Sequence, residues 1–258
     1  MNKLLHANTR LVCLIAAVFS LSTVSFAQVK VITSGGFSAA LQEVAPEFEK
    51  TTGITVTIAR GASQGSGPNT IGAQFRRGVT ADVVILSREG LDDLIKEGRI
   101  VAGTDVDVAR TPLGLSVRAG AAKPNISTID AFKRTLLQAK SVTFPESTTG
   151  IYMEKKMIPQ LGIASQLAGK VTRTGVAAVA TGDAEIAIQP VSELLHVPGS
   201  DFVGTIPQEL QYISVFSTAL VAGSKIPDAS KRLITFLTSE SAAGAIRNSG
   251  MEPVAPRK

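Results

Sequence analysis

Short β-rich runs alternate with segments of helical period along most of the chain, and Gly, Ser and Thr gather at the junctions where a run feeds a helix. Successive parallel strands require crossover connections, usually helical, so this rhythm restricts the chain to a layered α/β fold. The runs are Val29 to Thr33, Ile54 to Ala59, Asp82 to Leu86, Leu113 to Val117, Ser141 to Phe144 and Glu185 to Gln189. Phe37, Leu41, Val44 and Phe48 recur at helical spacing, as do Ile129, Phe132 and Leu136 behind a cap at Ser127 with Asp130 three residues on. Leu91, Leu94 and Ile95 lie on a short helix that Gly98 stops. Pro227 opens a helix carrying Ala229, Leu233 and Leu237, and a further short helix is predicted from about Ser239 to Asn248.

Residues 1 to 27 read as a cleavable export signal. Lys3 and Arg10 form a basic start, Leu11 to Phe19 an apolar stretch, and Ser25-Phe26-Ala27 a small-residue cleavage site, so that the mature chain begins at Gln28. No later stretch approaches the ~20 apolar residues of a membrane span. Loss of Lys3 and Arg10 takes the 26 basic side chains to 24 against 21 acidic, a mature charge of +3, and Cys13 leaves with the leader. That balance, with no Trp and 5% aromatics, gives neither a nucleic-acid footprint nor a base-stacking surface.

A parallel sheet binds ligands at the carboxyl ends of its strands. Four junctions of that kind are rich in small polar residues: Thr33-Ser34-Gly35-Gly36, Gly61 to Gly67 before a helix that Pro68 opens, Glu146-Ser147-Thr148-Thr149-Gly150, and Thr172-Arg173-Thr174-Gly175-Val176. Each can serve as a helix cap and turn alone, or can turn amides and hydroxyls toward an anion at the positive end of a helix. Neither Gly-rich loop fits a phosphate-binding fingerprint, since no Lys-Ser/Thr follows Gly67 and no third glycine follows Gly35-Gly36 at the dinucleotide spacing. Arg60 and Arg173 stand beside candidate loops and can pair with a ligand carboxylate or remain solvated.

Catalytic constellations are scarce. The mature chain has no thiol and one histidine, His196, so a Cys nucleophile is excluded and a Ser-His-Asp triad rests on His196 alone. No cluster has metal-ligand spacing, and no metal or other cofactor is implied. Among the carboxylates Glu146, Asp183, Glu185 and Glu193, Glu146 stands inside a candidate loop, where burial would raise its pKa toward proton transfer.

These residues, in this order, carry a family resemblance. Ser34-Gly35-Gly36, Gly61-Ala62-Ser63, Ala81 to Ile85, Gly150-Ile151-Tyr152, Gly182 to Ala187 and the Pro227 to Leu237 helix resemble the molybdate-binding-protein family of periplasmic type II solute-binding proteins, over residues 28 to 254. The resemblance implies two α/β lobes that close on a ligand by a hinge motion. The first lobe would comprise residues 28–110 and 213–258 and the second residues 111–212, with crossings near Ala109 to Leu115 and Tyr212 to Leu220. It implies a periplasmic, monomeric receptor for a small anion, serving an ABC-type permease in the inner membrane. The family's oxyanion contacts map onto Ser34 with Gly35, Ser63, Thr149 or Gly150, and Val176; Gln189 stands where the family carries a tyrosine. That departure, with Arg60 and Arg173, favours an organic polycarboxylate over molybdate. A branch of the same family, the aconitate isomerases, is similar in its Ser-Gly-Gly loop, in Gly150-Ile151-Tyr152, and in Ser192-Glu193-Leu194 with Val197-Pro198-Gly199. Isomerisation needs a base to take an allylic proton and return it, and among this chain's residues Glu146 is the best carboxylate candidate, with Tyr152 and His196 behind it.

Overall fold

The computed structural model describes residues 27–254; the export signal expected over residues 1–27 lies, except for Ala27, outside the described residues. Eleven strands form two mixed sheets. In chain order they are β1 Gln28–Thr33, β2 Thr55–Arg60, β3 Val83–Ser87, β4 Val106–Thr111, β5 Leu113–Arg118, β6 Val142–Thr143, β7 Val171–Thr172, β8 Ile186–Pro190, β9 Ser200–Thr205, β10 Ser214–Leu220 and β11 Glu252–Pro253. The first sheet runs β11-β4-β10-β3-β1-β2 and the second β7-β6-β8-β5-β9. Strands β1, β2 and β3 are parallel, as are β6, β7 and β8, whereas β10 runs antiparallel to both β3 and β4.

The long helix α1, Gly35–Thr52, buries Phe37, Leu41, Val44 and Phe48 on one face, against Val31 and Ile85 of the first sheet. It stops at Gly53, whose φ of 70° is the left-handed conformation that lets its amide turn back to the Glu49 carbonyl. Helix α2, Ile71–Arg76, begins at Thr70, whose hydroxyl accepts from the Ala73 amide. Pro68 was expected to open this helix; it lies in the preceding turn, because Thr70 offers the side-chain cap that a proline lacks. Helix α3, Arg88–Lys96, is capped by Ser87, and α4, Ile129–Gln138, by Thr128. The α4 cap expected at Ser127 is thus displaced by one residue: the Ser127 hydroxyl is engaged by Asn125, while Thr128 accepts from the Ala131 amide.

Each sheet has its own core. Val29, Val31, Phe37, Phe48, Ile85 and Phe216 centre the first, and Leu113, Leu115, Phe132, Phe144, Met157 and Ile188 the second. The chain leaves the first sheet through Thr111-Pro112-Leu113 and returns along residues 206–213. Pro112 has no amide to give to a ladder, so β4 ends and β5 starts on either side of it. Two crossings so close together set the carboxyl ends of β1, β2 and β3 opposite those of β6, β7 and β8.

One contact fixes how α1 meets its sheet. A Cβ added to Gly36 would lie 2.1 Å from Cζ of the buried Phe216 ring, so α1 approaches β10 closer than any side chain permits. Gly244, inside the helix Glu240–Asn248, has open space around the same position. Gly36→Ala is therefore expected to lower stability by about 1 to 3 kcal/mol through overpacking, and Gly244→Ala to raise it by roughly 0.5 to 1 kcal/mol. Denaturant midpoints moving in the same direction for both variants would contradict this packing.

Candidate functional site

The cleft between the lobes starts at the amino end of α1. Ser34 is its N-cap and is 3% exposed, and its amide donates to the Ile85 carbonyl at 2.8 Å. An N-cap serine ordinarily accepts a hydrogen bond from its own helix. The Ser34 hydroxyl makes no such bond and is buried without a partner. Ser38, one turn along α1, and Ser192, on the facing one-turn helix Val191–Leu194, also bury partnerless hydroxyls. An unsatisfied buried polar group costs about 1–3 kcal/mol. Three of them stand beside a helix N-terminus, where the first-turn amides of Gly35 and Gly36 are free of the helix ladder, so unused donors gather at one wall of the cleft.

The second lobe closes this wall with Gln189 and Glu193. Gln189 is 4% exposed at the end of β8; its Oε1 accepts from the Val176 amide and its Nε2 donates to Glu193 Oε2. The Gly175 amide, beside it, donates to Thr143 Oγ1 at 3.0 Å. Glu193 Oε1 lies 3.2 Å from where a Cβ of Gly35 would stand, so it faces the N-terminus of α1 across the interlobe gap. Among the described residues no Lys or Arg is ion-paired with Glu193. Burial pushes its pKa above the ordinary carboxylate range, with the hydrogen bond from Gln189 pulling the other way.

Gly35, Ser38, Gln42, Arg60, Gln189 and Glu193 are among the walls of a hollow of about 350 Å³. That lies at the small end of ligand pockets, which run from roughly 300 to 1,000 Å³. Arg60, at the carboxyl end of β2, brings an exposed guanidinium that makes no ion pair among the described residues. His196 stands at the exposed rim with φ 58°, the one non-glycine residue of positive φ among those described.

A smaller space of about 180 Å³ lies further along the interface, between Gly65 and Ser66 of one lobe and Glu146, Gly150 and Arg173 of the other. Glu146 is exposed and accepts from Ser66 Oγ at 2.6 Å. Arg173 is ion-paired with Glu154 and lies 4.3 Å above the Phe144 ring. Between the two spaces, Ser87 and Thr148 are bonded across the lobes at 2.9 Å, and Thr148 donates to Gln64 Oε1 at 3.2 Å. The Ser63 hydroxyl accepts from the Ser87 amide at 2.9 Å. Thr149 and Gly150 are buried, Gly150 because a Cβ there would meet the Pro145 carbonyl at 2.3 Å. Tyr152 turns away from the cleft, donating to the Leu210 carbonyl at 3.0 Å and stacking on Tyr212 at 5.0 Å.

The sequence-derived residues thus fall into two groups. Gly35, Arg60, Val176, Gln189 and His196 meet at the larger hollow, with Ser34 next to it as the N-cap before Gly35, whereas Glu146, Gly150 and Arg173 line the smaller one. Ser63 bonds the Ser87 amide within the first lobe and Thr149 is buried in the helix Thr148–Tyr152, each next to a member of the Ser87–Thr148 contact between lobes, and Tyr152 lies beside the return crossing. The residues that sequence reasoning left out of the site are Ser38, Ser192 and Glu193. Ser38 lies one helical turn from Ser34, a spacing that could have found it; Glu193 stands four residues after Gln189, which donates to it, in the Ser192-Glu193-Leu194 segment of family resemblance, and what the chain alone does not show is the approach of Gly35 from the other lobe. A hollow of about 480 Å³ at the amino ends of β6 and β8, lined by Arg118, Lys140 and Glu185, shares no residue with the cleft. Among the described residues no three His, Cys, Asp or Glu side chains stand together to hold a metal ion, and no helix is long and apolar enough to cross a membrane.

Residues 29–252 match the family model described as bacterial extracellular solute-binding protein. An aconitate isomerase of Pseudomonas sp. is 38% identical over 228 residues, 87% of each chain. Among solved structures, the periplasmic molybdate-binding protein of Azotobacter vinelandii superposes with a TM-score of 0.71 at 18% identity, over 89% of this chain and all of that one. The sulfate-binding protein SubI of Mycobacterium tuberculosis H37Rv superposes with a TM-score of 0.71 at 21% identity, over 89% of this chain and 88% of that one. Those likenesses show the fold, a two-lobed periplasmic-binding-protein architecture with a cleft between lobes.

The buried carboxyl has a measurable consequence. Unfolded, Glu193 titrates near the model-peptide value of about 4.3; folded, it keeps its proton to higher pH. Above that unfolded value the native state binds more protons than the unfolded one, so wild-type stability falls as pH rises until the folded pKa is passed. Glu193→Gln removes this dependence. Thermal midpoints of variant and wild type are expected to diverge in favour of the variant between pH 4 and pH 7. A difference that stays constant across that range would show that the carboxyl is not desolvated.

Proposed function

Because the chain belongs to the bacterial extracellular solute-binding protein family, we propose that it captures a small polycarboxylate anion between its lobes by hinge closure. The observation that carries this reading is the composition of the larger hollow. A free guanidinium, Arg60, stands in the same cavity as the α1 N-terminus with its partnerless serines. A tetrahedral oxyanion is compact and is bound by neutral donors converging on one point. A cavity of about 350 Å³ with donors at separate places suits an anion whose carboxylates are spread along a carbon frame. The export signal read in residues 1–27 supports a periplasmic location, where as a monomer the mature protein would deliver ligand to an ABC-type permease.

A second reading, isomerisation of aconitate on the same scaffold, is favoured by the curated relative at 38% identity. Aconitate is propene-1,2,3-tricarboxylate. Removing a methylene proton and returning it to the other end of the allyl unit regenerates the same skeleton, and the conformation held during transfer sets the geometry about the new double bond. Both readings need the same ligand class and differ in whether a proton moves.

Thermal unfolding with molybdate, tungstate, sulfate, citrate, cis-aconitate and trans-aconitate tests the ligand class, since any ligand of the native state raises the midpoint by mass action. A shift with a tricarboxylate is expected, and a shift with molybdate or tungstate alone would replace this reading by oxyanion uptake. Ser34→Ala and Ser38→Ala are each expected to weaken tricarboxylate binding by about 1 to 3 kcal/mol. Arg60→Ala is expected to weaken it at least as much. Calorimetric affinities unchanged in all three variants would remove the α1 end of the cleft as the binding site.

A further inference from the structure

Three carboxylates reach the cleft from the second lobe, Glu193 at the larger space and Glu146 and Glu154 at the smaller; Glu154 is ion-paired with Arg173, and the surroundings of the other two differ in kind. Glu146 is exposed, and the Ser66 hydroxyl occupies its Oε1. Glu193 is held on one side by Gln189, which is itself fixed by the Val176 amide. Its other oxygen, Oε1, faces Gly35 at the amino end of α1. No cation is paired with it among the described residues, and it shares a cavity with Arg60 and the donors of α1. One carboxyl oxygen anchored and the other turned toward the anion-binding donors is the arrangement of a positioned acid–base group.

We propose that Glu193 is the catalytic residue that moves the proton in an allylic isomerisation, which rests on the tricarboxylate reading above. Glu193 Oε1 takes a proton from the methylene carbon of bound aconitate. The C–H electron pair becomes the new C=C bond, while the old π pair forms a C–H bond at the far allylic carbon with the proton returned by Glu193. Nothing is oxidised or reduced, and the enzyme ends in its starting protonation state. Negative charge develops during transfer on the carboxylate conjugated to the reacting carbon. The free amides of Gly35 and Gly36, the hydroxyls of Ser34 and Ser38 and the Arg60 guanidinium are the groups that stabilise it. The partial burial that raises the pKa of this side chain also makes its carboxylate a stronger base once charged. Gln189, in the place where a tyrosine was expected from the family resemblance, has the positioning role: its amide fixes Glu193 Oε2 and leaves Oε1 to the substrate.

The test uses purified wild type, Glu193→Gln and Glu193→Asp. Aconitate binding is followed by calorimetry, and cis–trans conversion by proton NMR in D2O, where transfer through an exchangeable carboxyl also washes deuterium into the carbon frame. Wild type is expected to bind and convert. Glu193→Gln should bind within about threefold of wild type yet convert at least ~100-fold more slowly, the usual range for loss of a general base. Glu193→Asp should keep measurable conversion, because it retains a carboxyl. Conversion by Glu193→Gln within about threefold of wild type overturns the assignment and leaves tricarboxylate binding intact. So does wild type that binds aconitate and converts none. Wild type that binds no tricarboxylate, while folded, overturns the binding reading and this role together.

Discussion

The side-chain amide of Gln211 ties the two interlobe crossings into one hinge. Its Oε1 accepts from the Leu113 amide at 2.9 Å, and its Nε2 donates to the carbonyls of Leu113 and Ile206 at 2.8 and 3.2 Å. Leu113 follows the proline at which the outgoing crossing changes sheets, so Gln211 of the returning crossing supplies the pairing that a neighbouring strand would otherwise give. The next residue, Tyr212, donates to Glu89 Oε1 of the first lobe at 2.5 Å and stacks on Tyr152 of the second. Burial, and then Glu89, push the Tyr212 pKa up, so the phenol remains a donor at any ordinary pH. The facing of the two loop sets, and therefore the cleft, follows from this clasp.

Within the cleft, the polar groups divide by what they already satisfy. The contacts that hold the lobes together in this arrangement, Ser66 to Glu146 and Ser87 to Thr148, are complete hydrogen bonds between short side chains. The hydroxyls of Ser34, Ser38 and Ser192 are not satisfied, although each is more than nine-tenths buried. Buried donors without partners are rare in native proteins because desolvation is not returned. Three of the six buried side-chain atoms without a partner among the described residues gather at this one helix terminus, a stronger pointer to a ligand than the glycines of the loop, which also serve packing. Gly36 illustrates this, since Phe216 alone accounts for its missing side chain.

Most of the fold could be read from the chain because the apolar periodicity of α1 and the β-branched runs of β1, β3 and β8 report burial directly. Strands β4 and β9 escaped for a physical reason. In β4, Asp107 and Arg110 interrupt the pattern, yet Asp107 is used by Ser217 and Arg88 and Arg110 by Glu252, so these charges are partnered by distant elements. In β9, Asp201 and Gly204 sit on an edge strand that is only partly covered. The candidate site was legible where function follows from position, as at Ser34, Gly35, Arg60 and Val176 on strand-to-helix junctions. Glu193 could be read only as one carboxylate among several in a segment of family resemblance, ranked behind Glu146, because its setting depends on the approach of α1 from the other lobe.

That difference bears on what the cleft is for. A site that only retains an anion gains nothing from a carboxylate aimed at the positive end of α1, since it competes with the ligand for the same donors and repels it when charged. Burial raises the Glu193 pKa, which lessens that repulsion. A carboxyl of raised pKa set beside anion-binding donors is costly to a receptor and, as the base of the proposed transfer, useful to a catalyst. Gln189 and Gly35 hold it in that position, the one by a fixed amide and the other by having no side chain to displace it.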